Sequence, residues 1–374
     1  MKYIRMPIEI ESPEQLGYDK IRNNLSESSY SDALLKDMKV DLRNLGELAL
    51  CYGDHAGHPG LRELIAGQSR FLDRGDILLT IGAAGALFII ASSLLDPGDE
   101  MIVVRPNYAT NIATPLAIGA NVKYIDLRFE EGFRLDMEAL KRSVNARTKY
   151  ISVTHPHNPT GACMNDAEMK TLAGIAEQYE IWLLVDETYR DMVFGEKLPV
   201  ACEYSDRVIS VSSLSKTYGL PGIRMGWIAC RNAELMETFL AAKEQIHICG
   251  SLLDEELAYR WQVRKEGCFE RIQKDIMEKF GILKTWMNVQ DDLEWIEPGG
   301  GCVCFPRMRR PAGIYIDKFY ETLLHRYGTY TGPGHWFDSP RQYMRIGYGW
   351  PTRDQLIEGL DAITQSIRVS RHTR

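Results

Sequence analysis

The stretch VSSLSKTYGLPGIRMGW, residues 211–227, decides how the rest of the chain is read. Its apolar lead-in, Val208-Ile209-Ser210-Val211, has strand character and delivers the hydroxyls of Ser212, Ser213 and Ser215, then Lys216. Gly219, Pro221 and Gly222 make the following segment a turn, and Arg224 stands eight residues beyond the lysine. A lysine held at the end of a sheet can carry an aldehyde as a Schiff base. Hydroxyls and a guanidinium beside it can hold a phosphate on the same molecule. The Ser-x-Lys triplet alone has a plainer reading, a solvated loop lysine and a surface arginine, so the surrounding chain has to decide.

Working outward, apolar runs recur with helical patterns between them. Asp76 to Ile81, Met101 to Val104, Asn121 to Leu127, Lys149 to Thr154, Ile181 to Val185, Val208 to Val211 and Met225 to Cys230 read as strands. Leu61 to Ala66, Leu87 to Leu95 and Asp166 to Tyr179 read as helices. Apolar strands separated by helices imply an α/β fold on a largely parallel sheet, with ligands expected beyond the strand ends. From Glu234 the pattern turns to long helices, Leu235 to His247 and Leu252 to about Leu283. A helix at Tyr315 to His325, a strand at Tyr343 to Tyr348 and a helix at Arg353 to Ile367 follow. This implies a smaller α+β domain over 255–374, a large domain over 36–254, and an N-terminal arm over 1–35 with Tyr18 and Ile21 as anchors.

The strand ends carry the chemistry. Gly82-Ala83-Ala84-Gly85-Ala86 opens a helix directly after a strand. Such small residues let backbone N–H groups approach an anion at the positive end of the helix, or else serve tight helix-on-sheet packing. Asp186 ends an apolar strand thirty residues before Lys216, where it can pair with a buried cation or cap a turn. Asn158, in the loop His155-Pro156-His157-Asn158-Pro159-Thr160-Gly161, and Tyr189 can donate hydrogen bonds, and Tyr108 places an aromatic just past a strand.

Composition narrows the partners. The chain has 374 residues, 45% hydrophobic and 25% charged, with a net charge of −7 that gives no support to a nucleic-acid partner. No apolar run reaches transmembrane length, and the opening residues lack the apolar core of a signal peptide. The eight scattered cysteines read as reduced thiols of a cytoplasmic protein. His55, His58, His155 and His157 fall in two loops without a carboxylate at ligand spacing, so no metal is expected.

Taken together, the lysine stretch, His157-Asn158-Pro159-Thr160-Gly161, Asp186-Glu187-Thr188-Tyr189 and Tyr343-Met344-Arg345-Ile346-Gly347 resemble, in order and spacing, the motifs of the class I/II aminotransferases. These are fold-type I enzymes that use pyridoxal 5'-phosphate (PLP). The resemblance implies a seven-stranded, mostly parallel sheet in the large domain, and transfer of the α-amino group of an L-amino acid to a 2-oxo acid through a Schiff base on Lys216. It implies that Asp186 pairs with the pyridine nitrogen and that Asn158 and Tyr189 bind the ring's phenolic oxygen. The phosphate cup would comprise the amides of Ala83 and Ala84 with Ser213, Ser215 and Arg224. Tyr108 would stack on the ring, Arg345 would grip the substrate carboxylate, and Tyr52 would reach the neighbouring site of a homodimer.

The phosphate loop has no hydroxyl where some relatives carry serine or threonine, and Asn24-Leu25-Ser26-Glu27-Ser28 lacks the glycine-proline pattern of many relatives. Glu27 near the pocket would favour a basic side chain on the substrate; as a solvated N-terminal acid it would do nothing. The N-terminal region also resembles that of capreomycidine synthase-like enzymes, which leaves a PLP-dependent lyase or cyclase as the alternative reaction.

Overall fold

Residues 1–43 and 45–371 are described by a computed structural model. The chain begins with two single-turn helices, α1 (Pro7–Ile10) and α2 (Pro13–Leu16), and a short strand, β1 (Asn23–Leu25). Helix α3 (Pro59–Ala66) leads to β2 (Ile77–Ile81), α4 (Gly82–Leu94), β3 (Glu100–Arg105), α5 (Thr110–Ile118) and β4 (Asn121–Asp126). Next come α6 (Met137–Ser143), β5 (Thr148–Thr154), α7 (Asp166–Gln178), β6 (Trp182–Asp186), β7 (Val208–Ser213) and β8 (Met225–Ala229).

These strands form one seven-stranded sheet in the order β2-β8-β7-β6-β5-β3-β4. Only β8 runs against the rest, pairing antiparallel with both β2 and β7. Alternate residues of one strand serve opposite faces, which is why the inner strands read as nearly continuous apolar runs. Ile102, Val104, Ile151, Val153, Leu183 and Val185 pack in one core. Their neighbours Met101, Val103, Tyr150, Leu184, Ile209 and Val211 pack in another, against α4 and α8 (Ala233–His247).

Register gathers the strand ends on one edge. Thr154 pairs with Asp186, Asp186 with Val211, Ser213 with Gly226, and Ile81 with Met225. The last residues of β2, β5, β6 and β7 and the first of β8 therefore share a single rim, because β8 is reversed.

The apolar pattern from Leu252 to Leu283 is not one helix. It breaks into α9 (Leu252–Gln262) and α10 (Lys265–Met287), with the turn at Val263 and Arg264. Neither glycine nor proline marks the break, so periodicity alone ran through it. After β9 (Leu293–Glu294), β10 (Val303–Cys304), β11 (Arg307–Met308) and α11 (Ile316–Glu321) comes an unanticipated strand, β12 (Thr329–Pro333), then β13 (Met344–Gly347) and α12 (Arg353–Val369). A four-stranded sheet runs β1-β12-β13-β10, with β1 parallel to β12. The N-terminal segment is thus a sheet member, built on Leu25, which is fully buried, and on Asn23, whose Nδ2 donates to Thr329 Oγ1 at 3.1 Å. Ile21 is buried as an anchor would be; Tyr18 is instead 46% exposed and stacks on Trp350. Among the described residues no helix is long and apolar enough to cross a membrane.

Candidate active site

A cavity of about 260 Å³ opens at the rim where the strands end. Its walls include Ala83, Ala84, Tyr108, Asn158, Asp186, Tyr189, Ser213, Ser215, Lys216, Arg224 and Arg345. Of the residues expected to bind cofactor or substrate, all meet there except Tyr52, which is 77% exposed and lies outside the cavity.

The anion cradle is built from backbone. The first turn of α4 has no side-chain cap; the Gly82 amide donates to the Arg224 carbonyl at 2.8 Å, which leaves the amides of Ala83 and Ala84 to face an outside partner. Gly82, at φ +65°, starts that turn, and a Cβ there would stand 2.5 Å from Arg224 Nη2. The arginine packs over bare glycine. Behind the turn, Gly226 lets β8 approach: an added Cβ would lie 2.4 Å from the Gly82 carbonyl carbon and 2.6 Å from the Ala83 nitrogen. Both neighbours are backbone and cannot swing away. Gly226→Ala is accordingly expected to cost about 1–3 kcal/mol of stability and to weaken phosphate binding, checked by thermal unfolding and by titration with PLP.

Asp186 ends β6 as a buried carboxylate. The Thr188 amide and hydroxyl donate to its Oδ1 at 3.1 and 2.6 Å, which leaves Oδ2 available. Burial pushes its pKa up; the Thr188 bonds and the Lys216 charge pull the other way. A group so placed calls for a cation against its free oxygen. Thr188 was not singled out from the sequence, although Asp-x-Thr is the spacing of a local side-chain turn.

Lys216 sits on a loop held from several sides. Its carbonyl accepts from the Tyr30 amide at 2.8 Å, the Ser215 amide donates to Ser213 Oγ at 3.3 Å, and Thr217 Oγ1 donates to the Thr188 carbonyl at 2.8 Å. Arg345, 4% exposed, donates to Asn158 Oδ1 at 3.1 Å and to the Ser26 carbonyl at 2.6 Å, while its Nε has no partner. The Asn158 amide nitrogen stays free to donate. Tyr189 differs from expectation: its hydroxyl donates to the Ser28 carbonyl at 2.7 Å, so its proton is directed at the N-terminal segment.

Two further wall elements complete the cavity. Glu27 lines the cavity rather than facing bulk water, and Ile8, Glu9, Ser12, Pro13 and Glu14 form a strap across it. The strap is tied down at Glu11, whose carboxylate accepts from Trp336 Nε1 at 2.7 Å and meets His335 Nε2 at 2.9 Å. Nothing in so short and mixed a stretch marks it as a wall. His155 and His157 are buried beside the site and do not line this cavity; His157 faces a second one of about 240 Å³. Burial lowers both imidazoles to about 4. His58 caps α3 by accepting from the Leu61 amide, and His55 pairs with Glu244. His247 closes α8 with neither ring nitrogen partnered, away from the cavity.

The donor set fits a phosphorylated pyridine aldehyde: an uncapped helix start with an arginine, a buried acid with a free oxygen, a free amide donor and an amine. Residues 20–363 match the family model described as aminotransferase class I and II. The chain is 30% identical to capreomycidine synthase of Streptomyces vinaceus, over 87% of this chain and 83% of that protein. It is 28% identical to an arginine–pyruvate transaminase of Pseudomonas aeruginosa, over 79% and 77% respectively. Among solved structures, a PLP-dependent aminotransferase from Streptococcus suis superposes with a TM-score of 0.92 at 28% identity, covering all of both chains.

Proposed function

The chain belongs to the class I and II aminotransferases, PLP-dependent enzymes of fold type I that move an amino group between an amino acid and a 2-oxo acid; from that premise we propose that the cavity at the sheet rim is where this chain does so. The carrying observation is that Lys216, Asp186, Asn158 and Arg345 line one cavity. Bound there, PLP supplies an aldehyde to take up the amino group and a ring to draw in the electrons of the broken C–H bond.

Lys216 holds the cofactor, takes the proton from the substrate α-carbon and returns it to the carbon that receives the nitrogen. One amine on a fixed loop serves both positions because they lie on one bound molecule. Asp186 keeps the ring nitrogen protonated through its free oxygen. Asn158 donates to the phenolic oxygen, and Tyr189 joins it by turning its proton from Ser28. The amides of Ala83 and Ala84, with Ser213, Ser215 and Arg224, hold the phosphate, and Tyr108 covers the ring face. Arg345 takes the α-carboxylate in a bidentate fork, which its unpartnered Nε supports.

The working unit is a two-fold homodimer in which the exposed Tyr52 reaches the neighbouring phosphate. Residues 36–254 form the large domain and 255–374 the small one, with 1–35 as the N-terminal segment. All eight cysteines are unpaired, which supports a cytoplasmic setting.

The test follows cofactor absorbance as amino acids are added to the PLP-loaded protein. Conversion to the amine form of the cofactor with release of a 2-oxo acid is expected. Ammonia release without that conversion would sink transamination and favour the lyase alternative; a ring-closed product formed with neither would favour the cyclase. Arg345→Lys keeps the charge but not the fork, so KM for the amino donor should rise about 10- to 100-fold while cofactor absorbance stays as in the parent.

A further inference from the structure

We propose that Glu27, assisted by Glu14, selects amino donors whose side chain ends in a cation, a guanidinium or an ammonium. This rests on the aminotransferase reading and names the substrate class for that same cavity. With the α-carboxylate on Arg345 and the α-amine at Lys216, the walls left to the side chain include the strap over residues 8–14, Glu27 and Trp336. Those walls carry three carboxylates, Glu9, Glu14 and Glu27. The three cations of the cavity, Lys216, Arg224 and Arg345, each have other work.

Glu27 is firmly placed. The carbonyl of Ser26 before it accepts from Arg345, and its own backbone carbonyl lies so close against Gly347 that no Cβ would fit between them. Its carboxylate is weakly engaged, accepting from Asn24 Nδ2 at a long 3.4 Å. Burial and the nearby Glu14 disfavour its charge, against the pull of Lys216 and Arg345. A cation between Glu27 and Glu14 removes that repulsion and satisfies both acids. An acidic side chain would meet carboxylates with no guanidinium free to answer it. Glu9 is the less available member, since it lies beside the Tyr108 hydroxyl at 3.5 Å.

The test uses the PLP-loaded enzyme with L-arginine, L-lysine, their neutral counterparts L-citrulline and L-norleucine, and L-glutamate. The parent is expected to prefer each cationic donor to its neutral counterpart by about tenfold or more in kcat/KM. Glu27→Gln should shrink the arginine-to-citrulline ratio about 10- to 100-fold, the weight of one charge-assisted hydrogen bond. Calorimetric binding of 5-guanidinopentanoate, which lacks the reacting amine, should weaken by a similar factor. If Glu27→Gln proves insoluble, Glu14→Gln, at an exposed position of α2, is measured in the same way, with a threefold or larger fall in the ratio expected. Turnover of neutral or acidic donors with cationic ones ignored would overturn this inference alone, as would an unchanged ratio in the variant. Release of no 2-oxo acid from any donor would overturn the aminotransferase reading on which it rests.

Discussion

Replacing Lys216 by alanine is expected to lower kcat by about 10⁴-fold or more, because covalent attachment and both proton transfers pass through one amine. The loop should survive the change. Its backbone is held by Tyr30, Ser213 and Thr188 rather than by the lysine side chain. Thermal unfolding of the cofactor-free variant should therefore match the parent closely. Borohydride treatment after PLP addition should fix cofactor to the parent and not to the variant, as read by mass spectrometry. Added small primary amines should restore part of the rate, since they can carry a proton at the vacated position. A variant retaining a tenth of the parent rate would remove Lys216 from the chemistry altogether.

Asp186→Asn comes second and has two effects of opposite sign. The amide can still accept both Thr188 bonds, so packing is kept, while the charge that holds the ring nitrogen protonated is gone. A fall in kcat of about 10²- to 10³-fold is expected, the scale of losing one preorganised charge partner in a closed site. Without cofactor, the same change should stabilise the chain at neutral pH. Burial raises the folded-state pKa of this carboxyl above its unfolded value, so the unfolded chain loses its proton first as pH rises. Stability then falls from the ordinary carboxylate range up to the raised pKa, and the full penalty applies above it. Asparagine carries no such penalty. The parent and variant melting curves should converge in acid and separate toward neutrality, with the variant higher. A cofactor methylated on its ring nitrogen, permanently positive, should recover much of the lost rate. If it does not, the carboxylate acts by some route other than ring charge.

Much of this was legible in the chain because the determinants are local. Apart from the edge strand β4, the strands of the large sheet are largely apolar runs closed by small or turn residues, and buried sheets admit little else. Lys216, Asp186 and Asn158 each follow such a run, so the strand ends located the site. What escaped was non-local. Asn23-Asn24-Leu25 has no alternation, and only its partner in β12 makes it a strand. The break at Val263 and Arg264 lies between two helices with nothing local to announce it. Glu27 looks like any N-terminal acid until Arg345 takes the carbonyl before it and Gly347 lies against its own. The strap at residues 8–14 owes its place to Trp336 and His335, far along the chain.

The pairing of β1 with β12 also bears on synthesis. Asn23 and Thr329 stand 306 residues apart, so β1 has no mate until Thr329 and its neighbours have been made. At about 5–20 residues per second, ribosomes would leave it waiting roughly 15–60 s. The wall bearing Glu27 consequently closes well after the large sheet, whose last strand ends at Ala229. A nascent chain can fold its large sheet around the cofactor before discrimination among donors exists.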